Sequence, residues 1–424
     1  MPDTFPLTPR RERVMLLTLA AIQFIHVVDF MLMMPLGPQL TVIFGISDAQ
    51  FGLLIAAYTL AAGVSGLAAT TYIDRFERRR LLLILFAGLA VATLACGLAP
   101  TFHTLMAARV AAGLFGGVLG SLVQTIVADA VPFERRGAAM GMVMAAFSMA
   151  TVAGVPASLW LANAHGWHAP FFALPAVSVL IWGAASRLVP RMTGHLAARG
   201  DRESTAQQLR QVLGVRNHWR AFALTVLMVF SSFTMIPYIT LFTTTNLGLT
   251  TAQVPMIYLV GGLATLVSSQ LLGKLADRWG KAPTLRLVAL LALVPVLALP
   301  QLGHWGMTTL AQVLMVTTLF FVLVSGRMVP GMALVTSAVE PRSRGAFMSL
   351  NNAMQSGAMG VASLVGGLLI TRDAQGLVQG YARGGWLALG CTLAVVWLVG
   401  RLQVVGRGGP DRLVQGHMPD NPAP

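Results

Sequence analysis

The sequence has few charged side chains, few cysteines and no recognisable catalytic motif. Only 10% of its 424 residues are Asp, Glu, Lys or Arg, against about 25% in a typical soluble domain. Its two cysteines, Cys96 and Cys391, both fall inside apolar stretches, which excludes a disulfide framework and a cysteine-rich metal site. No phosphate-cradling loop or nucleophile–base arrangement is present. We therefore predict neither enzymatic activity nor a metal or cofactor.

What the sequence has in abundance is apolar length. Apolar residues make up 56% of the chain and recur in runs that reach the roughly 20 residues needed to cross a bilayer as a helix. The first run exceeds the roughly 7–15 apolar residues of a signal peptide, so we expect it to be a permanent helix. The predicted fold class is an all-α polytopic membrane protein with twelve transmembrane helices. The predicted spans are residues 14–36, 50–73, 81–99, 102–131, 137–164, 168–189, 220–244, 252–275, 284–303, 307–336, 345–371 and 382–402.

The net charge of +14 is distributed unevenly along the chain. Basic residues gather in alternate connections between the predicted spans, and the other connections are nearly free of them apart from Arg372 and Arg383. By the positive-inside rule this asymmetry predicts a multi-pass membrane protein with both termini in the cytoplasm. Because the charge follows membrane topology, it gives no reason to expect a nucleic-acid partner.

A long polar connection divides the predicted spans into two sets of six. We predict an N-terminal six-helix bundle at residues 1–190, a cytoplasmic linker at 191–218, a C-terminal six-helix bundle at 219–402 and a disordered cytoplasmic tail at 403–424. The halves also repeat each other, since "ERRGAAMG" follows span 4 and "PRSRGAFMS" follows span 10. Two bundles related by a parallel pseudo-repeat are typical of transporters whose substrate site lies between the halves.

Two motifs connect this architecture with a known family. The loop "GKLADRWGK" at residues 273–281 and the span-4 segment "RVAAGLFGG" at residues 109–117 carry the resemblance. The chain resembles the major facilitator superfamily, and in particular its bacterial proton-coupled drug and metabolite exporters, the arabinose-efflux-permease-like branch. The resemblance implies a monomeric transporter of a small molecule in a bacterial inner (cytoplasmic) membrane, driven by the proton gradient and connected with drug resistance.

The resemblance also implies gating residues between the bundles. The loop carboxylates, here Asp74 and Asp277, would meet the free N–H groups at the starts of span 11 and span 5, where the helix dipole favours negative charge. The first-half copy departs from the motif, because Thr70 and Glu77 stand where glycine is usual. The other predicted gating residues are Arg75, Arg78, Gly273, Arg278 and Gly280, together with Gly154 and Pro156, which are expected to bend span 5.

Asp29 lies inside an apolar segment, "FIHVVDFMLMMP" at residues 24–35. It comes 16 residues after Arg13, about 24 Å further along a helix. Burial disfavours the charged form of a carboxyl group, and a carboxyl that is neutral or charged near pH 7 is suited to carrying a proton. We predict proton coupling at Asp29, the alternative being a permanent Asp–Arg pair that only fixes packing. Gln23 and His26 share its helix face, and His26 either relays protons or only hydrogen-bonds a carbonyl group.

Two arginines also fall within predicted spans. Either Arg109 or Arg327 is deep enough to pair with Asp29, and competition between a proton and an arginine for one carboxylate is a workable coupling device. The family resemblance favours Arg109 for this role. Arg327 is alternatively expected to attract an anionic group of the substrate.

Several polar or flexible side chains inside the spans are candidates for the substrate cavity. For Gln124, Asn351, Asn352 and Gln355 the alternative is hydrogen bonding between helices, and for Met33 it is an ordinary lipid-facing or core position. The predicted cavity residues are Gln23, Met33, Gln124, Arg327, Asn351, Asn352 and Gln355. The glycines of span 4 are expected to allow close helix packing.

The sequence predicts a proton-coupled antiporter that exports a small amphipathic drug or metabolite by alternating access. In span 5 the adjacent Gly-Pro of the exporters is split by Val155, so a proton-coupled symporter that imports a small nutrient stays open as the alternative. A non-transporting membrane receptor or an enzyme is the remote alternative.

Overall fold

The computed structural model describes residues 8–193, 205–340 and 343–405, and the side chains of Asp74, Phe133, Glu134, Thr205 and Ala206 lie outside that description. Parts of the predicted linker (194–204) and tail (406–424) therefore lie outside it as well. The described chain is helical apart from one antiparallel hairpin, in which β1 (Thr371–Arg372) pairs with β2 (Val378–Gln379).

The first half contains eight helices, and a short helix lies in the stretch predicted as linker. In chain order they are α1 (Pro9–Leu32), α2 (Gly37–Ile43), α3 (Asp48–Tyr72), α4 (Arg78–Gly97), α5 (Phe102–Ala130), α6 (Phe133–Met149), α7 (Val155–His165), α8 (Ala169–Leu188) and the linker helix α9 (Thr205–Leu213).

The second half continues with eight more helices. They are α10 (Arg216–Phe233), α11 (Ile239–Thr245), α12 (Val254–Trp279), α13 (Lys281–Ala298), α14 (Leu310–Gly326), α15 (Met328–Ser337), α16 (Arg344–Leu369) and α17 (Tyr381–Val399). Helix α10 begins inside the stretch predicted as linker.

Twelve membrane helices in two six-helix bundles are confirmed. Within the described residues, eleven helical segments are long and apolar enough to cross a bilayer. The twelfth is α16, which has 26 residues but carries several polar side chains, so composition alone does not single it out.

Four of the predicted spans are not continuous α-helices, and a proline accompanies each interruption. Span 1 is interrupted between α1 and α2, where Pro35 lies; span 7 between α10 and α11, at Pro237; and span 10 at Arg327, shortly before Pro330. In span 5 the segment Ala150–Gly154 forms a π-helical turn just before Pro156. Proline lacks the N–H that continues the helical ladder, which favours an interruption at these points, although Pro175 and Pro295 lie inside helices that continue.

The two bundles meet most closely along α3 and α16. Small residues make this possible, because a Cβ at Gly63 would lie 3.2 Å from the carbonyl oxygen of Ala353, and a Cβ at Gly360 would lie 2.8 Å from Oγ1 of Thr59. The second line of contact joins α7 and the π-helical turn to α12, where Gly262 faces Thr151.

Each bundle has one end rich in arginine and lysine, which we call the basic face. It holds the start of α1, the connection from α3 to α4 and the connection from α12 to α13. The other end is the opposite face, and there the halves are joined by hydrogen bonds. Arg372 of β1 bridges to Asp48 at the start of α3, and Nδ2 of Asn163 donates to the carbonyl oxygen of Thr251 at 2.8 Å.

Candidate functional site

The centre of the first bundle holds a buried carboxyl group with two donors. Asp29 of α1 is 0% exposed. The Thr93 hydroxyl of α4 donates to its Oδ1 at 2.8 Å, and Nη1 of Arg109, on α5, donates to its Oδ2 at 3.2 Å. The same Nη1 lies 3.3 Å from the backbone oxygen of Asp29. The structure therefore pairs Asp29 with Arg109, as the family resemblance implied.

Arg109 also rests on an aromatic stack that reaches the second half. Its guanidinium carbon lies 4.3 Å from the centre of the Tyr58 ring, a cation–π distance. Tyr58 stacks on Phe30 with ring centres 5.5 Å apart, and Phe30 stacks on Phe233 of α10 at 6.2 Å. We call Asp29, Thr93, Arg109 and Tyr58 the coupling site. Through Phe30 it is in contact with the opposite bundle.

The ion pair at this site is loose by the standard of buried pairs. Charge-assisted N–H···O bonds are usually about 2.7–2.9 Å long, whereas this one is 3.2 Å and uses one guanidinium nitrogen. Removing one partner of a buried pair leaves an uncompensated charge and commonly costs about 3–5 kcal/mol. If the pair separates, a proton on Asp29 neutralises the carboxylate, so no unpaired negative charge is left buried. The site is therefore chemically suited to proton exchange.

Gln23 and His26 lie beside the coupling site but do not touch the carboxyl. A Cβ at Gly116 would lie 3.2 Å from Nε2 of His26, and one at Gly120 would lie 3.8 Å from Oε1 of Gln23. Oε1 of Gln23, Nδ1 of His26 and the hydroxyl of Tyr58 are buried and have no hydrogen-bond partner within the described chain. Buried polar atoms without partners are rare, so their concentration here is a feature of the site.

A cavity of about 730 Å³ lies between the bundles in the half nearest the basic face. Its walls come from α3, α5, α9 and α16 and carry mostly hydroxyl, amide and glycine groups, including Ser121, Thr125, Ser349, Asn352 and Ser356.

The deep end of this cavity approaches the coupling site. Ala62 and Gly117 line the cavity. Ala62 is one helical turn from Tyr58 on α3, and Gly117 follows Gly116, which packs against Tyr58 and His26.

Most of the predicted cavity residues lie elsewhere. Asn352 lines the cavity and Arg75 lies at its mouth. Met33 and Gln23 are buried in the first bundle, Gln355 is half-buried on α16, and Nε2 of Gln124 points to the sulfur of Met144 at 3.8 Å.

Arg327 is not a partner of Asp29, and it does not line the cavity. It is 1% exposed inside the second bundle, where Nη1 donates to Thr392 and Nη2 to Ser231 and Ser232. Asn351 is likewise turned into the second bundle, where Thr225 donates to its Oδ1 at 2.8 Å. The predictions that Arg327 and Asn351 line the cavity therefore require correction, because the helix faces that carry them pack into the interior of the second bundle.

The predicted gating residues of the first half divide between two environments. Arg78 is buried within the first bundle, where it bonds to Asp129 at 3.2 Å and to the carbonyl oxygen of Ile73, so it fixes packing between helices of the same bundle. The side chain of Asp74 lies outside the described residues. Glu77, which replaces the motif glycine, caps α4 by accepting from the N–H groups of Arg79 and Arg80.

In the second half, Asp277 and Arg278 are exposed and make no hydrogen bond or ion pair within the described chain. The predicted contact of Asp277 with span 5 is therefore not formed in this structure, and its part in gating stays a prediction. Gly280 ends α12 with a φ of 92°, a conformation that glycine adopts without strain. Gly273 faces Val329 at 3.9 Å.

The predicted bend of span 5 takes the form of the π-helical turn. Gly154 lies at its end, packed against Val28 of α1, and Pro156 follows in the first turn of α7. The extra residue of a π turn shifts the following helix face relative to the preceding one.

Sequence reasoning missed four residues of these contacts. Thr93 and Tyr58 complete the coupling site, but a threonine and a tyrosine in apolar spans give no signal of their own. Asp48 and Arg372 form the bridge between the halves on the opposite face. Here a signal existed, since Arg372 was an exception to the charge asymmetry.

Comparison with known proteins shows the family to which the chain belongs. The sequence pattern described as Major Facilitator Superfamily matches residues 19–363. The chain belongs to the Major Facilitator Superfamily. It is 26% identical over 366 residues to the uncharacterized MFS-type transporter YceJ of Bacillus subtilis, covering 85% of this chain and 90% of YceJ. It is 28% identical over 281 residues to the inner membrane transport protein YdhP of Escherichia coli, covering 63% of this chain and 70% of YdhP.

Solved structures of the superfamily share its fold. The D-xylose-proton symporter matches with a TM-score of 0.74 at 16% identity, over 91% of this chain and 97% of that one. A bacterial homologue of the human lysosomal transporter Spinster, in an inward-facing and unoccupied conformation, matches with a TM-score of 0.70 at 16% identity, over 93% and 98%. Together with the sequence match, this makes the chain a multi-pass membrane transporter for a small molecule.

Proposed function

We propose that this transporter is a proton-coupled antiporter that exports a small amphipathic drug or metabolite, with Asp29 as the group that carries the proton. The observation that supports it best is the coupling site. A carboxyl group that is 0% exposed in the middle of a membrane bundle has one cationic partner, held by a single long hydrogen bond. Ionisable groups at such depth are expensive, and they usually serve ion or proton pathways.

The two protonation states of Asp29 make different contacts. When Asp29 is ionised, Arg109 is paired and the site is neutral overall. When Asp29 takes up a proton, Arg109 loses its counter-charge, its hydrogen bond to the neutral carboxyl is weaker, and its contacts with the backbone oxygen and the Tyr58 ring stay. The stack from Tyr58 through Phe30 to Phe233 gives this change a route to the second bundle. A proton shifts the conformational equilibrium only by its differential affinity for the two states, and the changed pairing supplies that difference.

The arrangement of the halves supports alternating access. The cavity is on the side of the basic face, which the positive-inside rule assigns to the cytoplasm. The halves are joined at the opposite face by the Asp48–Arg372 bridge. We propose that this structure is the state that receives substrate from the cytoplasm, and that rocking of the bundles opens the opposite face.

The test is the substitution Asp29→Asn in proteoliposomes, with a substrate found by a thermal-shift screen of metabolites and antibiotics. Transport driven by a pH gradient should be lost, whereas exchange of labelled for unlabelled substrate should survive. Asp129→Asn is the matched control, because Asp129 is also a salt-bridged aspartate of the first bundle but lies near the basic face. Full gradient-driven transport in Asp29→Asn would remove this carboxyl from the mechanism.

The alternative is a proton-coupled symporter that imports a small nutrient. The split Gly-Val-Pro of span 5 and the π-helical turn that ends at Gly154 keep it open, because exporters of the resembling branch have adjacent Gly-Pro. Everted membrane vesicles distinguish the two directions. An antiporter accumulates substrate when the vesicle lumen is acidic, and a symporter does not.

A further inference from the structure

Thr93 occupies an unusual position between two acceptors. Its Oγ1 lies 2.8 Å from Oδ1 of Asp29 and 2.9 Å from the carbonyl oxygen of Leu89, one turn earlier on α4. A hydroxyl group has one hydrogen and two lone pairs, so it can donate to only one of these oxygens at a time. Both distances are short enough for a full hydrogen bond. The site therefore has two states, one in which the Thr93 hydroxyl donates to Asp29 and one in which it donates to the carbonyl oxygen of Leu89.

The charge of Asp29 determines which of the two oxygens accepts the hydrogen bond from Thr93. When the carboxyl is ionised it only accepts, and a hydrogen bond to a charged acceptor is stronger than one to a neutral carbonyl, so Thr93 donates to Oδ1. When the carboxyl is protonated it becomes a donor, and Thr93 accepts that O–H with its free lone pair. The Thr93 hydrogen then turns to the carbonyl oxygen of Leu89. The hydroxyl of Thr93 has a partner in both states.

Arg109 has a comparable second set of contacts. Its Nη1 reaches both the carboxylate and the backbone oxygen of Asp29, and its guanidinium lies on the Tyr58 ring. Loss of the carboxylate charge therefore leaves it two contacts that do not titrate.

We propose that Thr93 is a positioning residue for proton exchange, which keeps Asp29 hydrogen-bonded in both protonation states so that the carboxyl can gain and lose its proton without an unpaired buried donor or acceptor. The proposal rests on the proposed function of Asp29. A buried polar group without a partner is costly, so a site whose two states are both paired can exchange its proton with a smaller energy difference.

The other titratable groups around Asp29 do not offer this exchange. Arg109 on α5, Tyr58 on α3, Cys96 on α4 and His26 on α1 are the titratable neighbours within the described chain, and none of them is a second carboxyl.

The remaining helices packed against α1 and α4 carry their ionisable side chains at their ends. Among the described side chains, this is Arg187 on α8, at the basic face; Arg135 and Arg136 on α6, at the same face; and His165 on α7, at the opposite face. The described titratable groups nearest Asp29 are therefore Arg109 and Tyr58 of the coupling site, together with His26 and Cys96.

The experiment follows the carboxyl directly, with the proton as its only ligand. Purified transporter in lipid is titrated from acid to alkaline pH while infrared difference spectra record the C=O band of protonated carboxyl groups. Asp29→Asn identifies the band of Asp29 by removing it. Thr93→Val removes the hydroxyl but keeps the shape of the side chain, and Thr93→Ser keeps the hydroxyl.

We expect Thr93→Val to move the midpoint of the Asp29 band to higher pH by about one unit, because the bond lost from the charged form is stronger than the one lost from the neutral form. Thr93→Ser should restore the wild-type midpoint, and the pH profile of transport should shift in parallel. The matched control is Thr317→Val. Thr317 is 0% exposed and donates to the carbonyl oxygen of Val313 at 2.8 Å, but it has no carboxylate partner among the described residues. Its substitution should leave the Asp29 band in place.

A wild-type midpoint in folded Thr93→Val would overturn the proposal. If the valine variant does not fold, Thr93→Ala removes the same hydroxyl without adding a branched methyl group, and the same reading applies. Failure of this proposal and failure of the proposed function give different results. If Asp29→Asn retains gradient-driven transport, the proposed function is wrong, whereas if Asp29→Asn loses it but Thr93→Val or Thr93→Ala titrates like the wild type, the role of Thr93 alone is wrong.

Discussion

The bridge between Asp48 and Arg372 gives the sharpest test of how the halves are held together. Arg372 of β1 donates through Nε to Oδ2 at 3.0 Å and through Nη2 to Oδ1 at 2.9 Å, so the pair is bidentate. The Asp48 side chain is 4% exposed and that of Arg372 is 37% exposed. The hydrogen bond to Asp48 raises the pKa of Arg372 above its ordinary value. The substitution Arg372→Met breaks this connection while preserving much of the stem.

The size of the effect follows from the exposure of the pair. Exposed ion pairs contribute about 0.2–1 kcal/mol, and hydrogen bonds to charged groups about 1.5–3 kcal/mol. A bidentate pair with one buried and one half-exposed partner falls between them, at about 1–2 kcal/mol. Asp48 lies in the first turn of α3, where the helix dipole favours its charge, so the protein should stay folded without Arg372. The balance between closed and open opposite faces should therefore shift about 5–30-fold toward the open one.

Spin labels on the opposite face report this balance. Val42 in the first half is 78% exposed and Thr308 in the second half is exposed, so cysteines at these positions can be labelled after Cys96 and Cys391 have been replaced by alanine. Pulsed dipolar spectroscopy in lipid should show a larger population at long distance in Arg372→Met than in the parent.

The matched control for the bridge is Arg383→Met. Arg383 is an exposed arginine of the same half, near the same face, and it has no ion pair within the described chain. Identical distance distributions in Arg372→Met and the parent would refute the reasoning. An equal shift in Arg383→Met would assign the effect to net charge and refute the specific bridge.

Two further predictions concern packing and the hairpin. Gly117→Val places side-chain atoms against the α3 backbone and should lower the thermal midpoint in detergent clearly, whereas Gly141→Ala, with nothing within 4 Å of the new Cβ, should leave it unchanged. The Gln379 amide, helped by backbone N–H groups, lowers the pKa of Asp373 below its ordinary value. A lowered pKa contributes stability that is present above the ordinary carboxyl range and is lost as the pH falls through the folded value. Amide exchange in residues 375–379 should therefore be slower than in Asp373→Asn at neutral pH, and should approach it only when the pH has fallen below the lowered pKa.

The coupling site shows how far depth alone can be interpreted. The position of Asp29 in an apolar run predicts a buried carboxyl, because a continuous helix has a fixed rise per residue. Depth alone did not choose its partner, since both Arg109 and Arg327 lie deep enough within predicted spans, and only the family resemblance favoured Arg109. Arg327 instead bonds neutral oxygens of Ser231, Ser232 and Thr392. The depth of a residue in the membrane depends on its own helix, whereas its ion-pair partner depends on how different helices pack.

Helix interruptions were also only partly predictable. Pro156 and Gly154 indicated a distortion of span 5, and the structure forms a π turn there. The interruption at Arg327 was not predicted, because a single proline at position 330 is compatible with either a kinked or an interrupted helix. The surrounding helices decide between these outcomes.

The sequence by itself determined that this protein lies in a membrane, how many helices span that membrane and where the chain divides into halves. Those properties depend on the apolar length of each segment and on charge near its ends, both of which are local. The tertiary structure decided which polar groups meet, since α1, α4 and α5 bring Asp29, Thr93 and Arg109 together from distant parts of the chain. It also decided that Asp48 and Arg372, 324 residues apart, join the halves. Such contacts depend on helix rotation and packing, which apolar periodicity does not encode.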